Sequence, residues 1–454
     1  MSSKVGPIVQ GLLIGSKNGH RMESRRSTSR IAHLFFNLAI PLSVLLVWWV
    51  VFTKVFSAPL PENFYYLSRP IPWVLFWLGS LFGKGREFLL LAIFCSLLAL
   101  SLIFYYWAWQ LLKYKFDAWA AASLFPFLWI YWARKGLWLG SCLSGAEILL
   151  GFLPFILACG KLIRFMQEGT WRHFFAVILF SSITLLTTGI GSCFLFLTMF
   201  VLTISEVFLG EGKVKLGRLF LIFVCSLGVV GFWYSPVFYK SWLVGAWEHG
   251  LSRAWWDILP IVLVTAPILG TLSFLICDRR PLRQGRFFSF SLWLIFSFAN
   301  WFWYKFNHSL FLHSQRTYLF LGLSNCLVLA SLLGALFNQI LRWEGRFLSW
   351  IPFRFKGLNL LSCLFLFALA VTWVILITSF WRSSPSSYGL GDNVFTSPAV
   401  MWVGNFSWWG SLLGMFLSAI TFLFIYFIKR RYEDKNSPFW YKLLAPFEAQ
   451  NANS

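Results

Sequence analysis

Apolar runs of about 20 residues recur along this chain from residue 33 to residue 428. A helix needs about 20 apolar residues to cross the hydrocarbon core of a bilayer, which is roughly 30 Å thick. Hydrophobic residues make up 58% of the sequence and charged residues only 12%, which is more apolar surface than a soluble fold can bury. The sequence therefore predicts an all-α polytopic membrane protein rather than a soluble globular domain.

The net charge of +22 comes from short basic clusters that lie between the apolar runs. This pattern is typical of the positive-inside rule and not of a nucleic-acid-binding face, so no nucleic acid is expected as a partner. The eight cysteines all lie within apolar runs and form no Cys-x-x-Cys pair. Neither a disulfide framework nor a metal site is predicted from them.

We predict about twelve transmembrane helices, with both termini on the cytoplasmic side of the membrane. The short loops favour a bacterial plasma membrane. Residues 1–30 form a basic cytoplasmic leader, residues 31–430 the transmembrane domain and residues 431–454 a cytoplasmic tail. This arrangement places most of the basic residues on the inner side. The predicted spans are 33–53, 88–112, 117–133, 136–160, 173–188, 190–207, 217–239, 258–277, 287–304, 317–341, 358–380 and 406–428.

The assignment of two segments decides the predicted membrane orientation of all the helices that follow them. The apolar run from 173 to 207 is too long for one ordinary span, and its "TTGIG" centre predicts a break into two short helices. Residues 71–83 lie in the first external loop, 54–87, and are too few to cross a bilayer. They are predicted to form an interfacial helix, amphipathic or re-entrant, on the outer side.

Glu62 and Arg69 are candidate functional residues of this first external loop, in "PENFYYLSRPIPW". A carboxylate near an arginine at the bilayer edge suits a general base, or a group that holds an acceptor hydroxyl. The alternative interpretation is a solvated loop glutamate.

A second external segment, "YKFNHSLFLHSQRTYLF", carries Lys305, His308, His313 and Arg316. His313 and Arg316 are three residues apart and share a helix face, whereas the spacing of His308 and His313 disfavours a shared metal. Arginine, imidazole and lysine at headgroup level suit a phosphate or diphosphate. The alternative is contact with ordinary anionic lipid headgroups.

Other external residues suit a sugar or acceptor. The segment "AWEHGLSRAWWD" combines aromatic faces, which stack on carbohydrate, with acids and bases that hydrogen-bond hydroxyls; the alternative is a tryptophan anchor at the interface. Glu147, the one acid placed within a span, suits a helix contact as well as function. The sugar- or acceptor-binding candidates are Trp247, Glu248, His249, Arg253, Asp257 and Asp392.

This layout resembles the GT-C superfamily of integral membrane glycosyltransferases, which take sugars from polyprenyl-phosphate carriers. The resemblance rests on the long first external loop and on four strings between residues 117 and 334. It implies Glu62 as the base or as the carboxylate that orients the acceptor, where the family usually carries an aspartate, and Arg316 with His313 as the clamp on the carrier phosphate. The strings are "DAWAAASLFPFLWIYWARKGLWLGS", "LTTGIGS", "GVVGFWYSPVFYKS" and "SQRTYLFLGLSNCLVLASLLG".

The resemblance implies transfer of a sugar from a lipid-linked donor to an acceptor on the outer face of the membrane. Some such families use a divalent metal, but no acid cluster in this sequence requires one. Two alternatives remain open at this stage. In the first, the chain is a non-enzymatic transporter or flippase of a lipid-linked saccharide or another amphiphile. In the second, it is a catalytically inactive assembly subunit.

Overall fold

The computed structural model describes residues 38–49, 70–133, 146–188, 191–207, 212–234, 285–297, 314–347, 354–355, 358–382 and 408–433. Helices account for nearly all of these residues, and the two short strands pair as an antiparallel hairpin. The elements are α1 (Leu38–Trp49), α2 (Pro70–Ser80), α3 (Gly85–Leu112), α4 (Lys115–Ala133), α5 (Ala146–Glu168), α6 (Trp171–Thr188), α7 (Gly191–Val207), α8 (Gly212–Val229, then a 3-10 turn Val230–Phe232), α9 (285–297), α10 (Ser314–Phe347), β1 (Arg354–Phe355), β2 (Leu358–Asn359), α11 (Leu360–Arg382) and α12 (Trp408–Glu433).

Four stretches of the described residues are long and apolar enough to cross a membrane: Glu87–Leu112, Leu150–Glu168, Gly212–Phe232 and Leu412–Arg431. Four shorter apolar helices accompany them: Leu38–Trp49, Trp171–Thr187, Phe194–Val207 and Gly322–Phe337. These helices support an α-helical, membrane-embedded protein. The number of spans and the side on which the termini lie stay predictions.

The chain divides into two compact units, and two helices contribute to both. Helix α3 changes unit after Leu100, and α10 changes unit after Leu321. Unit 1 consists of 1–59, 101–136 and 322–389, and unit 2 consists of 60–100, 137–321 and 390–454.

In unit 1, two indole donors attach α1 to α4. Trp48 Nε1 donates to the carbonyl of Ala122 at 2.7 Å, and Trp119 Nε1 donates to Ser43 Oγ at 3.0 Å. The Trp48 ring also stacks on Phe125, with ring centroids 5.7 Å apart. The Trp48 hydrogen bond is buried and satisfies the polar edge of a large aromatic side chain inside an apolar interface, where an unpaired donor would be costly.

A second contact in unit 1 brings a carboxylate against a glycine. Asp117, in the first turn of α4, is buried and lies so close to Gly334 of α10 that a Cβ at position 334 would overlap its carboxylate. Beside this contact, the rings of Phe116, Phe337 and Phe365 stack with centroids 4.8 to 6.4 Å apart. Position 334 therefore has room for glycine alone in this packing.

In unit 2, α6 and α7 form the helix pair predicted at "TTGIG". Helix α6 ends at Thr188 and α7 begins at Gly191. Ser181 Oγ donates to Met199 Sδ at 3.9 Å, and these two residues are equally distant in sequence from residue 190. The two helices therefore fold back on each other, and the prediction of two helices rather than one is confirmed.

Helix α12 packs closely against α8 through small residues. A Cβ on Gly228 would overlap the side chain of Thr421, and one on Gly231 would lie 3.3 Å from Ser418 Oγ. Ser418 Oγ also accepts from the backbone N–H of Phe232 at 2.7 Å. Small residues and interhelical hydrogen bonds are the usual means by which apolar helices associate in a membrane, where apolar surface alone gives little preference.

The predicted interfacial segment 71–83 overlaps the 11-residue helix α2, which begins one residue earlier and contacts α5 and α6. At 1.5 Å per residue, α2 is about 16 Å long and too short to cross a bilayer. A tight turn with Gly83 at φ 69° joins it to α3, and Phe82 at this turn is 80% exposed. An outer interfacial location for α2 stays a prediction.

Several helices extend beyond their predicted spans. Helix α5 continues to Glu168, eight residues past the predicted end at 160, and α10 runs from Ser314 to Phe347 instead of 317 to 341. The predicted ends were set by charged residues, which end the hydrocarbon-buried portion of a helix without ending its hydrogen bonding. Helix α5 ends instead at Glu168, and the following Gly169 has φ 61°.

Candidate functional site

Nearly all of the predicted site residues lie outside the part of the chain that the structure describes. Arg316 is the exception, because the backbone of α10 is described from Ser314 onward. The structure thus neither brings the other candidates together nor separates them. Those residues are Glu62, Arg69, Trp247, Glu248, His249, Arg253, Asp257, Lys305, His313 and Asp392.

Helix α10 begins at Ser314, so Arg316 lies in its first turn and His313 directly precedes it in the sequence. The first backbone N–H groups of a helix have no partner within the helix, and the helix dipole makes this end positive. Helix N-termini therefore favour anions, and phosphate in particular. The helix has 34 residues and is about 51 Å long, which exceeds the hydrocarbon thickness of a bilayer.

Within the described residues, charged side chains come together most closely at one end of unit 2. The C-terminal ends of α5 and α7 meet the N-terminal end of α8 there, and α6 begins two residues after α5 ends. These four helices therefore run in alternating directions, as the predicted topology requires. We call this the basic end; its Lys and Arg residues are Lys161, Arg164, Arg172, Lys213, Lys215 and Arg218, joined by Lys429, Arg430 and Arg431 of α12.

Glu206, near the C-terminus of α7, is the fully buried acid of this end. Its carboxylate accepts from Gln167 Nε2 at 2.8 Å and lies 3.4 Å from Lys215 Nζ. Lys215 Nζ also donates to the backbone carbonyl of Glu206 at 2.9 Å. The amide and the ammonium group thereby link α5, α7 and α8, and they replace the water that a buried carboxylate would otherwise need.

Arg218 of α8 is fully buried and caps the C-terminus of α5. Its Nη1 donates to the carbonyls of Phe165 at 2.9 Å and Met166 at 3.1 Å, and its guanidinium lies 5.1 Å from the centroid of the Phe165 ring. A cation at this position also interacts favourably with the negative end of the α5 dipole. Arg218 and Lys215 therefore act as C-terminal caps for two neighbouring helices.

The more exposed part of the basic end holds a further contact between a histidine and a carboxylate. His173 Nε2 lies 2.8 Å from Glu168 Oε2, across the turn that joins α5 to α6. The histidine is mostly buried and the carboxylate half exposed. Both described carboxylates of this end, Glu168 and Glu206, thus have partners within the protein.

The contacts described at the basic end suit the holding of neighbouring helices together better than catalysis. Each buried charge is matched by hydrogen bonds, and no group of His, Cys, Asp and Glu residues among the described side chains could hold a metal ion. Sequence reasoning treated Lys215 and Arg218 only as markers of the inner side. The available signal was Glu206 at the end of an apolar run, followed by basic residues after nine and twelve positions.

No protein-family model matches this chain, and no curated protein is significantly similar to it.

Proposed function

We propose that this protein is a membrane glycosyltransferase that moves a sugar from a polyprenyl-phosphate carrier to an acceptor on the outer face of the membrane. The observation that carries the proposal is the start of α10 at Ser314, which sets Arg316 in the first turn of a helix. A guanidinium at a positive helix end is suited to a phosphate monoester or diphosphate. The basic residues Lys305 and His313 precede this turn in the sequence.

The proposed reaction is a single displacement at the anomeric carbon. An acceptor hydroxyl loses its proton to Glu62 as its oxygen forms the new glycosidic bond, with inversion of configuration. The bond between the anomeric carbon and the phosphate oxygen breaks, and the carrier phosphate leaves with the electron pair. Arg316, His313, Lys305 and Arg69 would bind this phosphate and stabilise the negative charge that develops on it.

The apolar part of the substrate also favours this proposal. A polyprenyl chain is insoluble in water and must remain in the bilayer, and the described helices include four that are long enough to span it. A soluble acceptor would approach from the aqueous side. The predicted external residues Trp247, Glu248, His249, Arg253, Asp257 and Asp392 would contact the sugar or this acceptor.

The first test measures phosphate binding without requiring the identity of the sugar. A polyprenyl phosphate and the matching polyprenol, which lacks the phosphate, are titrated onto the purified full-length protein in micelles. We expect the phosphate to raise the thermal unfolding midpoint and the polyprenol to leave it nearly unchanged. We expect Arg316→Ala to weaken phosphate binding by about 10- to 100-fold, since a charge-assisted bidentate contact is lost.

Arg342→Ala is the matched control, because Arg342 lies towards the other end of the same helix. It should bind the polyprenyl phosphate as the unchanged protein does. Equal binding of the phosphate and the polyprenol, or equal losses in the two arginine variants, would contradict the proposed clamp.

The second test measures transfer in proteoliposomes with a panel of radiolabelled polyprenyl-phosphate sugars and a membrane extract as the source of acceptor. We expect transfer by the unchanged protein and a loss of about 100-fold or more in Glu62→Gln, because the base is removed. Binding of the polyprenyl phosphate should survive this substitution. Phosphate binding without transfer of any sugar in the panel would instead favour a non-enzymatic carrier of the lipid-linked saccharide.

A further inference from the structure

We propose that the seam between α8 and α12 at the basic end binds anionic phospholipid headgroups of the adjacent membrane leaflet. This surface is separate from the residues assigned to glycosyl transfer and does not depend on that assignment. Its cationic residues are Lys213 at the start of α8 and Lys429, Arg430 and Arg431 at the end of α12, all of them exposed.

The packing of the two helices places these cations at the same end of the helix pair. Gly228 lies against Thr421, and Gly231 lies against Ser418, so the helices are antiparallel with a fixed register. In this register, position 218 of α8 lies level with position 431 of α12. The hydrogen bond from Phe232 to Ser418 holds this register, and Ser418 Oγ also donates to the carbonyl of Val229 at 3.2 Å.

An exposed apolar stripe continues from the cation of α8 along the helix. Leu216, Phe220 and Val224 follow Lys213 at helical spacing and are exposed, Phe220 to 71%. From Lys213 to Val224 the stripe covers 11 residue steps, or about 16 Å.

Helix α12 also carries an exposed apolar stripe that leads away from its cations, but this stripe runs towards the N-terminus of the helix. Going back along the chain from Arg430, exposed apolar residues recur at spacings of three or four: Phe427, Leu423, Ile420 and Phe416. This stripe also extends about 20 Å from its cation. The α8 stripe is close to the depth of one bilayer leaflet, which is about 15 Å, and the α12 stripe is somewhat longer.

These two stripes identify the occupant as a phospholipid rather than a soluble anion. A nucleotide or a nucleic acid would use the cations but not the apolar residues that run away from them. An acyl chain below an anionic headgroup would contact both.

The test uses the purified full-length protein in micelles of a neutral detergent. Phosphatidylglycerol and phosphatidylcholine with identical acyl chains are added separately, and bound lipid is counted by native mass spectrometry. We expect phosphatidylglycerol to be retained at least tenfold more tightly than phosphatidylcholine. Glycerol phosphate without acyl chains should not compete at equal concentration.

The matched variants are Lys213→Gln and Lys84→Gln, since both lysines are exposed and lie at the start of a helix. Lys213→Gln should weaken phosphatidylglycerol binding about fivefold, and Lys213→Gln with Arg430→Gln about 25-fold, following the usual contribution of one basic residue near an anionic surface. Lys84→Gln should leave the binding unchanged. Similar losses in Lys213→Gln and Lys84→Gln, equal retention of the two lipids, or full competition by glycerol phosphate would overturn the proposal.

Discussion

Replacing Arg218 with methionine is expected to lower the free energy of unfolding by about 3 kcal/mol. Methionine keeps much of the length and apolar contact of the side chain but removes both donors to the last turn of α5, at Phe165 and Met166. The Met166 carbonyl loses the donor that α8 supplies, whereas the Phe165 carbonyl still accepts from the N–H of Gly169. The loss therefore concerns one buried carbonyl and a charge at the negative end of a helix dipole.

The measurement is an unfolding titration in mixed micelles, combined with hydrogen exchange of the amides at the end of α5. Faster exchange should be confined to this end of the helix. Arg172→Met is the control, because Arg172 is an exposed arginine at the same end and its loss should change stability by no more than about 0.5 kcal/mol. If Arg218→Met and Arg172→Met have the same small effect, Arg218 does not cap α5.

Gly334→Ala is expected to destabilise the protein by about 2–3 kcal/mol, a large effect for one added methyl group. The new Cβ would overlap the carboxylate of Asp117, which is buried at the start of α4. Removing this overlap requires either a shift of α4 away from α10 or a new position for the Asp117 carboxylate inside an apolar interface. Both responses would also disturb the neighbouring Phe116–Phe337 stack.

A double-mutant cycle tests this explanation. When Asp117→Ala removes the carboxylate, Gly334→Ala should cost at least 1 kcal/mol less than it does in the unchanged protein. Leu332→Ala is the control on the same helix, since Leu332 is half exposed and should show no coupling to Asp117. Additive effects of Gly334→Ala and Asp117→Ala would show that the methyl group does not act through this carboxylate.

The parts of the fold that local patterns determine could be predicted from the sequence. The apolar runs indicated the membrane-embedded helices, and the "TTGIG" string between Thr187 and Gly191 indicated the break between α6 and α7. Glycine in such a run has no side chain to support a helix, and the turn reverses the chain there. Helix ends were predicted less well, because Lys161 and Arg164 mark where a helix leaves the hydrocarbon and not where it stops.

Contacts between residues far apart in the sequence could not be predicted. Nothing near Asp117 indicates that Gly334 packs on it, and nothing near Arg218 indicates that its partners are the carbonyls of Phe165 and Met166. Such partners follow from which helices lie side by side, which charge and periodicity do not specify. For the external candidates, the structure adds the start of α10 just before Arg316, and the remaining roles stay predictions.

The proposed phosphate site requires that the stretch before α10 face the outside of the membrane, and the predicted topology places the end of α12 on the opposite side. Ser309 precedes α10 and Ser437 follows α12 in the sequence, and cysteine is a conservative replacement for serine. Ser309→Cys and Ser437→Cys are made separately in a variant whose eight native cysteines are replaced by alanine, and intact cells receive a membrane-impermeant maleimide. We expect labelling at position 309 in intact cells, and at position 437 only after the membrane is permeabilised. Labelling of position 437 alone would contradict an outward-facing phosphate site, and labelling of both positions in intact cells would contradict their placement on opposite sides.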